Sequence, residues 1–323
     1  MSRVELCQVA EGEAGMRLDR WFRSHFPHLT HARLEKLLRK GEVRLDGKRA
    51  KANVRLEPGQ TVRVPPLPAP LEAEQRKKPR RVSPEDRAFL RGLILHEDDE
   101  IIVLNKPAGL AVQGGSNTSR HIDGMLEALQ GRASERPRLV HRLDKDTSGV
   151  LVLARNRAAA ARLGKLFQGR GADKIYWALV TGMPRPARGV IDMRLLKAGG
   201  AGNEKVRPGD DGKAAVTEYA VVEHAGGKAA FVMLKPLTGR THQLRVHMSE
   251  IGHPIVGDGK YGGHEAFIGG LPEQLHLHAA EITLTSGKGK RRTFRAPPPP
   301  HMLDSFAALG FDPAPAHDPF DED

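Results

Sequence analysis

The sequence predicts an α+β fold: a mixed, largely antiparallel central sheet preceded by a small, basic N-terminal α/β module. Three observations carry this. From about Arg87 to Ala296, short apolar runs of strand length outnumber helical stretches and are mostly separated by turns instead of long crossovers. Residues 16–65 follow a different pattern, two amphipathic helices and then two strand-like pieces. Between these regions, residues 66–86 are crowded with proline and with Lys and Arg, which makes a semi-rigid spacer.

The first helix of the module is set by Leu18, Trp21, Phe22 and Phe26 at helical spacing, and Pro27 ends it. Thr30 can cap a second helix with Leu34, Leu37 and Leu38 on its apolar side and Gly41 as its stop. Strand-like pieces follow around Glu42–Leu45 and Thr61–Val64, with turns at Asp46-Gly47-Lys48 and Pro58-Gly59. Residues 16–65 hold 13 Lys or Arg against 5 Asp or Glu, a large share of the chain's net charge of +12. Such clustering favours a polyanionic partner. Arg33, Lys36, Arg39, Lys40 and Lys48 are the candidate phosphate contacts. This αα-turn-ββ pattern resembles the S4 RNA-binding domain.

In the larger region, strands are expected at Ile101–Leu104, Val150–Ala154, Trp177–Val180, Ala215–Val222, Ala230–Leu234, Thr241–His247 and Glu281–Thr285. Helices are expected at Ile122–Gln130 and Ala158–Phe167, and a glycine-rich, charged loop at 199–212. Residues 299–323, opening on prolines and ending acidic, read as a tail with a mobile end. Hydrophobic residues make up 39% of the 323, enough for a packed core, and the single cysteine, Cys7, excludes a disulfide framework. The early acidic residues argue against a signal peptide, and no apolar run reaches membrane-spanning length. A cytoplasmic protein is the expectation.

Four segments carry chemistry. His141-Arg142-Leu143-Asp144-Lys145-Asp146-Thr147-Ser148-Gly149 places a carboxylate among cations just before an apolar strand. Positive neighbours favour a carboxylate's charged form, which a nucleophile or base requires. The others are Asn105-Lys106-Pro107-Ala108-Gly109, Lys174-Ile175-Tyr176-Trp177-Ala178 and Leu237-Thr238-Gly239-Arg240-Thr241-His242-Gln243-Leu244-Arg245-Val246-His247. If Thr241–His247 is a strand, Thr241, Gln243, Arg245 and His247 share one polar face, which either lines a site or is the wet face of an edge strand. The 15 histidines raise the question of a metal, with His276 and His278 two apart and His242 and His247 on one segment. With no cysteine cluster and no HExxH, metal ligation is not expected.

In order and spacing these segments resemble the RluA/RluC family of pseudouridine synthases, from about residue 16 to 298. The resemblance implies the pseudouridine synthase fold over 87–298, isomerisation of uridine to pseudouridine in RNA, no cofactor, no membrane partner and a monomer. It implies that Asp144 is the catalytic aspartate, that Arg245 pairs with it, and that Tyr176 stacks on the target base. Arg142 is expected to displace that base, and His141, Lys106, Arg240, Thr241 and Gln243 to contact substrate. Large-subunit (23S) ribosomal RNA is the favoured substrate over tRNA, and Val112-Gln113-Gly114-Gly115-Ser116 resembles a subgroup that modifies several of its uridines. Glu281-Ile282-Thr283-Leu284 departs from the aromatic-then-His-Pro pattern of many members. Two rivals from other classes are a non-catalytic RNA-binding or ribosome-assembly protein and a metal-dependent nucleic-acid hydrolase.

Overall fold

The computed structural model describes residues 4–67, 82–114, 118, 120–131, 133–169, 171–198, 205–285, 289–315 and 318–320. The chain divides into two compact units, Met1–Arg81 and Val82–Asp323.

The first unit contains β1 (Glu5–Gln8), α1 (Leu18–His25), α2 (His31–Lys40), β2 (Arg44–Leu45), β3 (Lys48–Arg49) and β4 (Thr61–Val64). Its antiparallel sheet runs β1-β4-β2-β3. Leu18, Trp21 and Phe22 of α1 and Leu34, Leu37 and Leu38 of α2 pack on Val62 and Val64. The Thr30 hydroxyl accepts from the Arg33 amide at 3.3 Å, and Gly41 closes α2 at φ 72°. Beyond expectation, β1 adds a strand ahead of residue 16. Most of the expected linker, 68–81, lies outside the described residues. Its flanks belong to the units: Leu67 is buried in the first core, and Ser83 caps α3 (Pro84–Gly92) of the second.

The second unit holds β5 (Ile94–Glu97), β6 (Ile101–Lys106), a short α4 (Ile122–Met125), β7 (Arg138–Leu139), β8 (Ser148–Ala154), α5 (Arg157–Gln168), β9 (Ala172–Thr181) and β10 (Arg188–Ala198). β11 (Lys205–Pro208), β12 (Lys213–Ala225), β13 (Ala229–Pro236), α6 (Gln243–Glu250), β14 (Leu277–Thr285), β15 (Arg291–Arg295) and α7 (Pro300–Leu309) complete it. Its eleven strands form one sheet in the order β11-β10-β12-β13-β9-β14-β8-β6-β5, with β15 on β14 and β7 on β8. β14 and β8 run parallel, and every other described pair in this sheet is antiparallel.

β6 and β8 are continuous apolar runs because both their faces are covered. Ile102, Leu104, Leu151 and Leu153 pack under α3 and α4, while Val103, Val150 and Val152 pack under Ala159 and Leu163 of α5. Further along the sheet, Leu244 and Met248 of α6 cover Ala178, Val180, Ala230 and Val232. The opposite face, with Ile175, Leu179, Phe231 and Met233, is covered by Met302 and Phe306 of α7.

Three expectations on secondary structure are corrected. Thr241–His247 is no strand: residues from Gln243 form α6, buried from Gln243 to Met248. On a helix buried all round, alternation of polar and apolar residues carries no facing information; the apolar i, i+4, i+7 set Leu244, Met248, Ile251 is the periodicity that wins. The expected tail opens with α7. Pro300 sits in the first turn, where its missing N–H costs nothing, and Gly310 ends the helix at φ 74°. The loop expected at 199–212 contains β11, and its residues 199–204 lie outside the described ones.

Candidate active site

Asp144 lies in the loop between β7 and β8, which is held at His141 and at Ser148. His141 Nε2 accepts the Val152 amide at 2.8 Å, so the ring carries its proton on Nδ1. The same ring stacks on Phe167 with centroids 4.3 Å apart and planes 13° from parallel. Burial, and then the nearby charge of Lys174, push His141 down to about 3, keeping it the neutral acceptor this contact needs. After the aspartate, Thr147 and Ser148 are buried, and the Ser148 hydroxyl donates to His278 Nδ1 at 2.9 Å while His278 Nε2 donates to the Ala296 carbonyl at 3.0 Å. Gly149 takes φ +111°, and a Cβ there would meet the Ala279 carbonyl oxygen at 2.2 Å. Only glycine lets β8 approach β14 so closely, which explains the end of the Asp-Thr-Ser-Gly string.

Lys106 is corrected from its expected substrate role. It is fully buried, and its ammonium donates to the carbonyls of Pro107, Leu110 and Lys145 at 2.9, 2.8 and 2.9 Å. All three protons are spent fastening the Asn-Lys-Pro-Ala-Gly turn to the residue after Asp144. Burial lowers its pKa to about 8, against the pull of Asp146 and Asp144.

Tyr176 and Lys174 share a face of β9, two residues apart. The Tyr176 hydroxyl is pushed well up by burial and by the negative charge of Asp144, so the ring stays neutral. Across the cleft, Gln243 lines the wall, and its side-chain amide is fully engaged. Its carbonyl accepts from the Thr238 hydroxyl at 2.8 Å and the Arg240 amide at 3.0 Å, and its amide donates to Val216 O and Thr217 Oγ1, both at 2.9 Å. Four bonds saturate it, and it organises the loop before α6 without a hand free for substrate. Arg240 and Thr241 remain at the surface of the cleft, with Arg240 Nε donating to the Ala214 carbonyl at 2.9 Å.

The expected pairing of Arg245 with Asp144 takes a different form. Arg245 makes a two-pronged pair with Asp258, Nε to Oδ2 at 2.7 Å and a terminal nitrogen to Oδ1 at 2.6 Å, both side chains buried. Asp144 acts on this guanidinium through space, as a weaker influence behind Asp258 that raises its pKa. None of the motif segments contains Asp258. Its signal was Gly257, which at φ +80° leaves 2.0 Å between a built Cβ and the Gln274 carbonyl oxygen. Sequence reasoning also passed over His242 as a site residue. It adopts φ 52°, rare for a side chain other than glycine, and its Nδ1 lies 2.7 Å from the Tyr261 hydroxyl. Tyr261 accepts the Val206 amide at 3.1 Å, and its ring lies 5.2 Å from the Arg245 guanidinium.

These groups converge on a cleft of ≈ 340 Å³ that brings together Asp144, Arg142, His141, Tyr176, Arg240, Thr241, Gln243 and Arg245. Arg142 is exposed at its edge. Among the described residues Asp144 is the only carboxylate in its lining. In the first unit, Arg33, Lys36 and Lys40 line a separate shallow groove with Thr30. Arg39 and Lys48 are exposed outside that lining. Among the described residues no cluster of three or more His, Cys, Asp or Glu is arranged to hold a metal.

The family model described as RNA pseudouridylate synthase matches residues 100–250. Ribosomal large subunit pseudouridine synthase C of Vibrio cholerae is 36% identical over 317 residues, covering 95% of this chain and 98% of its own. The protein of the same name from Escherichia coli is 39% identical over 302 residues, 91% and 93% of the two chains. Among solved structures, human RNA pseudouridylate synthase domain containing 4 superposes with TM-score 0.59 at 31% identity, over 70% of this chain and 97% of that one. Cleft, fold and relatives agree: the chain belongs to the RluA/RluC-type RNA pseudouridine synthases.

Proposed function

We propose that this enzyme isomerises several uridines of large-subunit (23S) ribosomal RNA, with Asp144 as nucleophile, working as a cytoplasmic monomer. The observation that carries this is the convergence of one carboxylate, one neutral tyrosine ring and several cations in a single cleft. The relatives' names supply the RNA. Among the described residues no helix is long and apolar enough to cross a membrane.

The reaction cuts N1–C1′ of uridine, turns the uracil, and rejoins it through C5. The Asp144 carboxylate attacks C1′ as the N1–C1′ bond breaks, and the electron pair stays on the uracil. The turned base then displaces the carboxylate through C5. C5 loses its proton and N1 gains one, so nothing is oxidised or reduced. A uridine must leave its stack to reach a carboxylate in a cleft. Tyr176 offers it a ring, and Arg142, two residues before Asp144, fills the vacated place in the RNA. Arg245, locked by Asp258, is a fixed positive charge beside the carboxylate and the developing uracil anion. The N-terminal unit serves as an S4-like RNA grip through Arg33, Lys36, Arg39, Lys40 and Lys48.

Because C5 loses its hydrogen, tritium at uridine C5 is released to water on turnover. Large-subunit ribosomal RNA transcribed with that label tests the reading. Release by the wild type and none by Asp144→Asn, with RNA affinity retained, is the expected result. Turnover by Asp144→Asn refutes the nucleophile, and release from tRNA alone moves the substrate.

A further inference from the structure

We propose that Lys174 receives a backbone phosphate of the RNA next to the target uridine, so that the cleft holds the strand beside the base it isomerises. The inference rests on the reading of this cleft as the RNA isomerisation site. Lys174 lines the cleft with Asp144 and Tyr176. It stands on the same face of β9 as Tyr176, roughly 7 Å along the strand, a distance that separates a stacked base from its own backbone.

The two lysines of this region differ in one respect. Lys106 has given each of its protons to a carbonyl. Lys174 is half-buried, yet among the described residues no carbonyl or carboxylate receives its ammonium. Its Nζ lies 5.6 Å from the centre of the Phe167 ring, which borders the same cleft. The carboxylate whose charge it feels most is Asp173, which the strand directs to the opposite face. Burial correspondingly lowers its pKa. A cation partly stripped of water, with no direct ion pair among the described residues, costs free energy that an incoming anion offsets. RNA brings one at every nucleotide. The shelf beneath is rigid: Phe167 is stacked on His141, and His141 is held by the Val152 amide. Lys174 therefore aims its charge from fixed supports, as a residue that positions a strand requires.

The test uses full-length enzyme and a ribosomal RNA fragment carrying one unmodified target uridine tritiated at C5, with a neutral methylphosphonate replacing single phosphates on either side of it. Tritium release from uridine C5 reads turnover. Lys174→Gln is expected to lower kcat/KM roughly tenfold or more, mainly through KM. In the wild type, one methylphosphonate position is expected to give a similar loss, and at that position the two losses do not multiply. Lys174→Arg keeps the charge and is expected to remain sensitive at the same position; it serves where the glutamine variant folds poorly. Losses that multiply at every position, an unchanged kcat/KM in Lys174→Gln, or loss of that sensitivity in Lys174→Arg overturns the proposal. With the wild type turning over, none of these results touches the isomerase reading; absence of wild-type turnover refutes the isomerase reading itself.

Discussion

Arg245 and Asp258 show how a single side chain's role depends on a partner far along the chain. The motif made Arg245 stand out, but which carboxylate it grips was set by the turn at Gly257-Asp258, thirteen residues on, where a side chain on the glycine would meet backbone at 2.0 Å. Removing one member of a buried pair leaves the other charge unpaired, at a cost of about 3–5 kcal/mol. Asp258→Ala is therefore expected to lose that much in urea unfolding and to abolish turnover; a variant as stable as wild type contradicts the assignment. Asp144 and Arg142 stood out from one string and Tyr176 from another, and all three line the cleft. Lys106 and Gln243 were equally prominent, yet their polar atoms are consumed by backbone and neighbouring side chains. Residue type and spacing mark such groups as important without telling a ligand contact from a loop fastener, because hydrogen-bond saturation exists only in three dimensions.

At the scale of elements, the strands were the readable part. β6, β8 and β13 are apolar runs buried on both faces, and their composition announces it. α6 was misread because seven residues alternate by chance and the deciding apolar positions lie beyond them. α7 was missed because prolines suggested irregular chain, whereas a proline in the first turn fits a helix. Two substitutions test these elements. Phe306→Ala is expected to cost about 3–5 kcal/mol, since Phe306 is buried against Phe231 at 4.9 Å between centroids; a change below 1 kcal/mol would return α7 to the status of a tail. Gly149→Ala must part β8 from β14 and force an unfavourable φ, so a loss of at least about 2 kcal/mol is expected in thermal unfolding. Should that variant melt like the wild type, the close parallel join is wrong.

For the whole molecule, charge and protonation are the relevant levers. The basic excess in residues 16–65 was visible in the sequence, and the structure gives those residues their own compact unit. Deleting residues 1–81 is expected to weaken RNA affinity and flatten its salt dependence; an unchanged salt slope contradicts an RNA grip there. The larger unit buries His247, His276 and His278 completely, and burial lowers each to about 4. Below about pH 6.5 the unfolded chain takes up protons that the folded chain refuses, so stability falls with pH down to about 4. Each histidine contributes up to about 1.4 kcal/mol per pH unit in that window. Urea midpoints at pH 7.5, 6 and 5 are expected to decline in that order. His247 adds a burden of its own, since both its ring nitrogens are buried without a hydrogen-bond partner among the described residues. The most direct measurement maps pseudouridine across large-subunit ribosomal RNA from cells lacking this gene, and from the same cells rescued with wild type or with Asp144→Asn. Loss of particular sites, restored by wild type alone, is the expected result. A map unchanged by loss of the gene, or one restored by Asp144→Asn, would contradict it.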